Sequence, residues 1–236
     1  MKLLSLVLIT LASTTSIFAN PYMKRNDMDG YEVCSTDILD NLNCYTPEIG
    51  SNQDEICKTF KTEKCTNWLK NPLSAKGCNV AGDYKNILEL PVKLGSTYME
   101  LYCTKNEGSE TGLCPVFDSE LDLISFTKSP KEDDLKKVVE DSCKSEPCAK
   151  SLYNYYKMII SYKTTKENLK DKTFSASLIS ISNEDEQLYS KYMNELKECA
   201  KIEDEASEKE KSDAFITKMN TTLLIISSLL VSFILF

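Results

Sequence analysis

The chain contains no histidine in its 236 residues. Ser-His-Asp and Cys-His catalysis need an imidazole to carry the proton, the HExxH zinc site needs two, and histidine-ligated haem needs one. None of these chemistries is open to it. GxSxG and GxxxxGK[ST] are missing too, which removes the nucleophile elbow and the P-loop. Arginine occurs once, at Arg25, so the planar fork that grips phosphate is nearly absent. There are 36 acidic residues against 28 basic ones, a net charge of −8. A surface of that sign repels phosphate backbones and anionic lipids, and nucleic acid is not an expected partner.

What is present begins with the two ends. Lys2, the apolar run Leu3 to Leu11 and the small residue of Ile17-Phe18-Ala19 have the three parts of a secretory signal peptide. A run of nine residues is too short to cross about 30 Å of hydrocarbon at about 1.5 Å per residue. Residues 1–19 are therefore read as a cleaved signal and the mature chain as starting at Asn20. At the other end Leu223 to Phe236 is apolar and no basic residue follows it. A membrane-spanning helix wants about 20 apolar residues. Extending this one back to Phe215 puts Lys218 and Asn220 inside it. A glycosylphosphatidylinositol (GPI) signal wants small residues, a polar spacer and then a short apolar tail. Ser212-Asp213-Ala214, Phe215 to Thr222, and Leu223 onward supply these in order. The GPI reading, with attachment at Ser212 and removal of 213–236, is favoured over a transmembrane tail. It would discard the one glycosylation sequon, Asn220-Thr221-Thr222. Trimming both ends removes Lys2, Asp213 and Lys218 and leaves 193 residues at a net charge of −9.

Ten cysteines lie between the two ends: Cys34, Cys44, Cys57, Cys65, Cys78, Cys103, Cys114, Cys143, Cys148 and Cys199. An even count behind a secretory signal predicts five disulfides, with the connectivity left open. Zinc is disfavoured, because there is neither a Cys-x-x-Cys nor a histidine. Two cysteines with nine or seven residues between them on one straight helix would sit too far apart to bond. Cys57 and Cys65 are therefore expected to reach different elements. The spacings run in a similar order twice, Cys34 to Cys78 and Cys103 to Cys199. The residues between do not match, which favours coincidence over duplication.

Apolar spacing predicts an all-α domain of six or seven helices with at most one short strand or hairpin. A loose leader, residues 20–30, precedes an ordered part, residues 31–202. Val33, Ile38 and Leu42 suit a first helix. Gln53 to Leu69 reads as one helix, with Asp54 and Glu55 favoured in its first turn by the helix dipole. Tyr84 to Leu90 stops before Pro91, and Val92 to Cys103 makes another. Thr104 to Leu113 is a polar loop, and Pro115 starts a short helix through Phe126. Ser129, Pro130 and Glu132 read as N-cap, first position and capping box of a helix carrying Leu135, Val138, Val139 and Cys143 inward. Pro147 starts the next, with Cys148, Leu152, Tyr155 or Tyr156, and Ile159 on one face, before a charged loop, Lys163 to Lys172. Thr173 to Ser182 could be a short strand or an extended connection. Ser182 and Asp185 cap the last helix, whose face is Leu188, Tyr192, Leu196 and Cys199. An acidic stalk, residues 203–212, follows.

Candidates for chemistry are few. Asn26 to Gly30 resembles the centre of a calcium loop, but its first ligand position would be Arg25 and its twelfth Thr36. Asp118-x-Glu120-x-Asp122 lacks the glycine and the final glutamate. Paired carboxylates would suffice for glycoside hydrolysis, but acidic pairs recur throughout and none stands out. Tyr153, Tyr155, Tyr156 and Tyr162 share one helix. They could stack on sugars or a partner, though a small core with hydroxyls at its rim is the simpler reading. No catalytic, cofactor-binding or metal-binding residue is assigned, and no cofactor is expected.

The cysteine layout, the Gly112-Leu113-Cys114-Pro115 turn and the two targeting ends resemble the cysteine-rich, GPI-anchored surface proteins of fungi. The resemblance is one of layout over residues 31 to 200. It implies a non-enzymatic, lipid-anchored protein on the outer leaflet or in the cell wall, with a structural, adhesion or recognition role. Its partners would be the membrane, through the anchor, and a wall glycan or protein. The alternatives are a secreted carbohydrate-active enzyme using two carboxylates, and a small-ligand carrier with an apolar cavity. The sequence departs from the fungal haem-binding cysteine domains, which have eight cysteines at tighter spacing, and from hydrophobins, which have adjacent cysteines.

Overall fold

The computed structural model describes residues 25–48, 51–78, 80, 83–109, 111–119, 121, 129–169 and 181–202. Every regular element among them is helical. In chain order these are α1 (Arg25–Asp40), a 3-10 turn (Leu42–Cys44), α2 (Gln53–Phe60), α3 (Glu63–Lys70), α4 (Asp83–Tyr102), a second 3-10 turn (Pro115–Asp118), α5 (Glu132–Ser142), α6 (Glu146–Glu167) and α7 (Asn183–Cys199). The protein is an all-α, disulfide-stapled domain. Residues up to Ala200 form one compact unit, and Lys201 begins a second of which only Lys201 and Ile202 are described. Most of the ambiguous stretch from Thr173, the stalk and Ser212 lie outside the described residues.

The longest helix, α6, organises the core. Cys148, Ala149, Leu152, Tyr155, Tyr156, Ile159 and Tyr162 are all buried, a band wider than one helical stripe. Such a helix must be covered on several sides, and α4, α5 and α7 cover it. Its partners fix the directions. Thr104, just past α4, shares a 2.7 Å hydrogen bond with Ser151, while the Tyr98 and Tyr155 rings lie 6.2 Å apart. Residue number falls on α4 as it rises on α6, so the two are antiparallel. Tyr156 meets Tyr189 at 5.0 Å, and Lys163 reaches Glu186 at 2.5 Å and Asn183 beside it, so α7 is antiparallel to α6 too. Glu132 pairs with Lys191 at 2.6 Å, and Cys143 bonds Cys199, so α5 runs parallel to α7.

The first three helices form an annex to this bundle. Trp68 stacks on Tyr45 at 5.9 Å and its indole N–H donates to Asp37 at 3.0 Å, joining α3 to α1. Gln53 on α2 donates to the Tyr102 carbonyl at 2.9 Å. Gly95 of α4 lets Tyr45 approach. A Cβ there would lie 2.4 Å from the Tyr45 carbonyl oxygen and 2.9 Å from its ring.

Several expected boundaries are displaced. The polar leader is already helical from Arg25, because Tyr31 and Cys34, one turn apart, are both buried and hold the helix down. The expected helix from Gln53 to Leu69 is two. Thr62 leaves helical geometry at ψ 152°, and its hydroxyl caps a new start by accepting from the Cys65 N–H at 3.4 Å. The two expected helices on either side of Pro91 are one. Proline removes a helical hydrogen bond, but Ile87, Leu88, Leu90, Val92 and Leu94 are buried around it and packing holds the axis. Of the expected short helix from Pro115 through Phe126, Pro115–Asp118 is a 3-10 turn that Ser119 ends, while 120 and 122–126 lie outside the described residues. Ser129 is not the N-cap of α5. The cap is Lys131, which makes no side-chain cap bond, and Ser129 donates instead to Asp185 of α7 at 3.4 Å. The charged loop from Lys163 is helical as far as Glu167, because the buried Lys163 ammonium finds Glu186, Asn183 and Glu167 around it. On α7 it is Tyr189, not Leu188, that is buried with Tyr192 and Leu196.

Candidate functional site

All ten cysteines meet in pairs: Cys34 with Cys78, Cys44 with Cys65, Cys57 with Cys103, Cys114 with Cys148, and Cys143 with Cys199. Their Cα separations run from 4.9 to 5.5 Å, within the range a disulfide spans. Cys57 and Cys65 reach different elements, as expected, although they sit on two helices rather than on one. No free thiol remains to serve as nucleophile or soft metal ligand. The pairing also answers the question of an internal repeat. A duplication that carried Cys34–Cys78 and Cys44–Cys65 forward would give Cys103–Cys199 and Cys114–Cys148. Only the second exists, since Cys103 goes to Cys57 and Cys199 to Cys143.

Of the four tyrosines on α6, three belong to the core and Tyr153 is half-buried. Tyr155, Tyr156 and Tyr162 are each no more than 2% exposed, so they offer no stacking platform to a sugar. Tyr98, Tyr102, Phe117 and Tyr155 form an edge-to-face cluster between α4 and α6. Burial pushes the Tyr98 phenol up to about 12, with neighbouring Tyr102 adding to it. Burial drives Tyr45 and Tyr156 higher still. The Tyr156 hydroxyl and the Ser142 hydroxyl are buried with no hydrogen-bond partner among the described residues.

Among the described residues lies an open groove of about 750 Å3. One wall is the loop Lys105–Ser109. The floor is the second 3-10 turn with Asp118, and the far wall is the face of α5 that carries Asp134, Lys137, Val138 and Asp141, closed by Lys144 to Pro147. The i, i+3, i+4, i+7 spacing puts those four on one stripe. Periodicity could not flag them, because charges interrupt the single valine, and the loop that completes the groove is remote in sequence. Asp118 drew notice only as part of a failed calcium loop.

The groove is nearly balanced in charge. Lys144 donates to Asp141 at 2.6 Å, and that carboxylate holds the ammonium above its usual range. Lys105 pairs with Asp54 at 3.1 Å. Asp118 and Asp134 are exposed, whereas a general acid needs a carboxyl shielded from water. With so polar a lining the groove also does not suit an apolar ligand. Among the described residues no group of three or more acidic or cysteine side chains is placed to hold a metal ion, and no helix is long and apolar enough to cross a membrane. No family model, curated protein or solved structure matches the chain.

Proposed function

We propose that this is a non-enzymatic cell-surface protein, delivered by the secretory pathway and held by a GPI lipid joined at Ser212. Its domain would serve a structural, adhesion or recognition role, with a wall glycan or protein as partner. The observation that carries this reading is the pairing of all ten cysteines across both halves of the domain. Five disulfides in one domain persist where the surroundings are oxidising, which agrees with the signal-like N-terminus. The burial of the tyrosines and the absence of a free thiol support a scaffold rather than a catalyst.

Treatment of intact cells with a phosphatidylinositol-specific phospholipase is expected to release the protein. Retention on the cell, together with survival of an epitope fused after Phe236, would sink the lipid-anchor reading and leave a transmembrane tail. A second reading is a carbohydrate-active enzyme, for which the groove offers Asp118, Asp134 and Asp141, although the first two are exposed and the third is paired with Lys144. Hydrolysis of wall oligosaccharides by purified protein, abolished in both D118N and D134N, would establish that reading in place of the first.

A further inference from the structure

The five bridges divide the chain unevenly. Cys34–Cys78 and Cys57–Cys103 overlap, so every peptide bond from Cys34 to Cys103 lies inside at least one bridge. Cys114–Cys148 and Cys143–Cys199 overlap in the same way from Cys114 to Cys199. No bridge spans the stretch from Cys103 to Cys114. The domain is thus two covalently closed blocks joined by one open strand, Thr104–Leu113. A cut in any other connector between Cys34 and Cys199 leaves both sides attached through sulfur.

That strand is built to be reached. Lys105, Glu107, Gly108 and Thr111 are exposed. Its hydrogen bonds are mostly its own: Asn106 N–H to Gly112 carbonyl at 2.9 Å, Ser109 N–H to Asn106 carbonyl at 3.1 Å, and Gly112 N–H to Ser109 carbonyl at 3.2 Å. Residues 105–109 also form one wall of the open groove, so solvent reaches both sides of the loop. Lifting it into a protease cleft uncovers no core side chain. Cys103 and Cys114 at its ends are buried and bridged, which confines the movement to the loop itself.

We propose that Lys105–Ser109 is a proteolytic processing site, at which one cut by an endoprotease turns the protein into two chains. Water adds across a single peptide bond, leaving a carboxylate on the N-terminal block and an amine on the C-terminal block. Among the described residues the blocks then hold together without a covalent link, through α4 against α6, where Met99, Leu101, Leu152 and Tyr155 are buried, and through Phe117, whose ring meets Tyr98 and Tyr102. The C-terminal block keeps the anchor, a clause that rests on the lipid-anchor reading above.

The test uses folded, unreduced full-length protein and a lysine-specific endoprotease, with new termini mapped by mass spectrometry. An early cut after Lys105 is expected. The cut protein should co-elute as one species in native gel filtration and separate into two bands in denaturant without reductant. K105Q should abolish that cut and leave others in place. Molecules cut after Lys76, inside the Cys34–Cys78 bridge, should stay joined until reductant is added. On cells, the C-terminal band alone should be released by phospholipase after the cut and a denaturant wash. If the Lys105 cut leaves one unreduced band in denaturant, or if the core is degraded before the loop is cut, the proposal is overturned. If two bands form and phospholipase releases neither, the anchor reading alone fails.

Discussion

Two residues show how close packing decides the sign of a substitution. Alanine at Gly95 would gain about 1 kcal/mol of helix propensity, but its Cβ would meet a backbone oxygen at 2.4 Å. Backbone cannot swing aside as a side chain can, and overpacking costs about 1–3 kcal/mol. We expect Gly95→Ala to lower stability, read as an earlier midpoint in urea. Tyr156 is the opposite case. Its hydroxyl is buried beside Tyr189 without a partner, so deleting the oxygen removes a desolvated polar group and keeps the ring. Tyr156→Phe should leave stability unchanged or raise it by about 1 kcal/mol, and a clear loss in the same titration would mean that the hydroxyl is satisfied. The disulfide-bonded state of the cysteines was readable from their even count. Gly95 was not, because nothing local indicates that Tyr45, fifty residues earlier in the chain, lands on it.

Helix boundaries divide the same way. The α7 start is a local device. Ser182 accepts from the Asp185 N–H at 3.0 Å and the Asp185 carboxylate accepts from the Ser182 N–H at 3.3 Å, a reciprocal pair that the spacing alone announces. At α5 the same kind of spacing misleads, because Ser129 is drawn to another helix. Ser182→Ala should therefore cost about 1 kcal/mol. Ser129→Ala, which loses one exposed and long hydrogen bond, should stay within about 0.5 kcal/mol. Equal losses by thermal melting would overturn the assignment of caps. In the fused α4 propensity is a weak prior that burial on both sides of Pro91 outweighs, whereas the break between α2 and α3 is a local cap at Thr62.

At the scale of the molecule, buried phenols and a buried ammonium set the alkaline limit. An unfolded tyrosine loses its proton near 10.0, whereas folded Tyr98 keeps it up to about 12. Below pH 10 both states hold the proton and stability is flat. Above it the unfolded chain sheds protons that the folded chain retains, so stability falls as pH rises. Tyr45 and Tyr156, pushed higher by burial, add in the same direction. Lys163, held charged chiefly by its bond to Glu186, loses its contribution as pH climbs through its raised value. Urea midpoints should hold steady through neutral pH and drop above pH 10. A midpoint unchanged at pH 11 would mean that these phenols are open to solvent.

The sequence by itself determined the helical class, the even set of bridging cysteines and the exclusion of histidine chemistry. These follow from composition and from patterns a few residues long, where the physics is local. The tertiary structure decided which cysteine meets which. It also placed the tyrosines inward and assembled the groove from a loop, a turn and one face of α5. Contacts between residues tens of positions apart depend on how whole helices pack, and no short-range pattern encodes them. The open strand from Cys103 to Cys114 belongs to that second group. It was legible as a polar loop, but its place as the one unbridged span emerged only when five pairs had been drawn from ten cysteines.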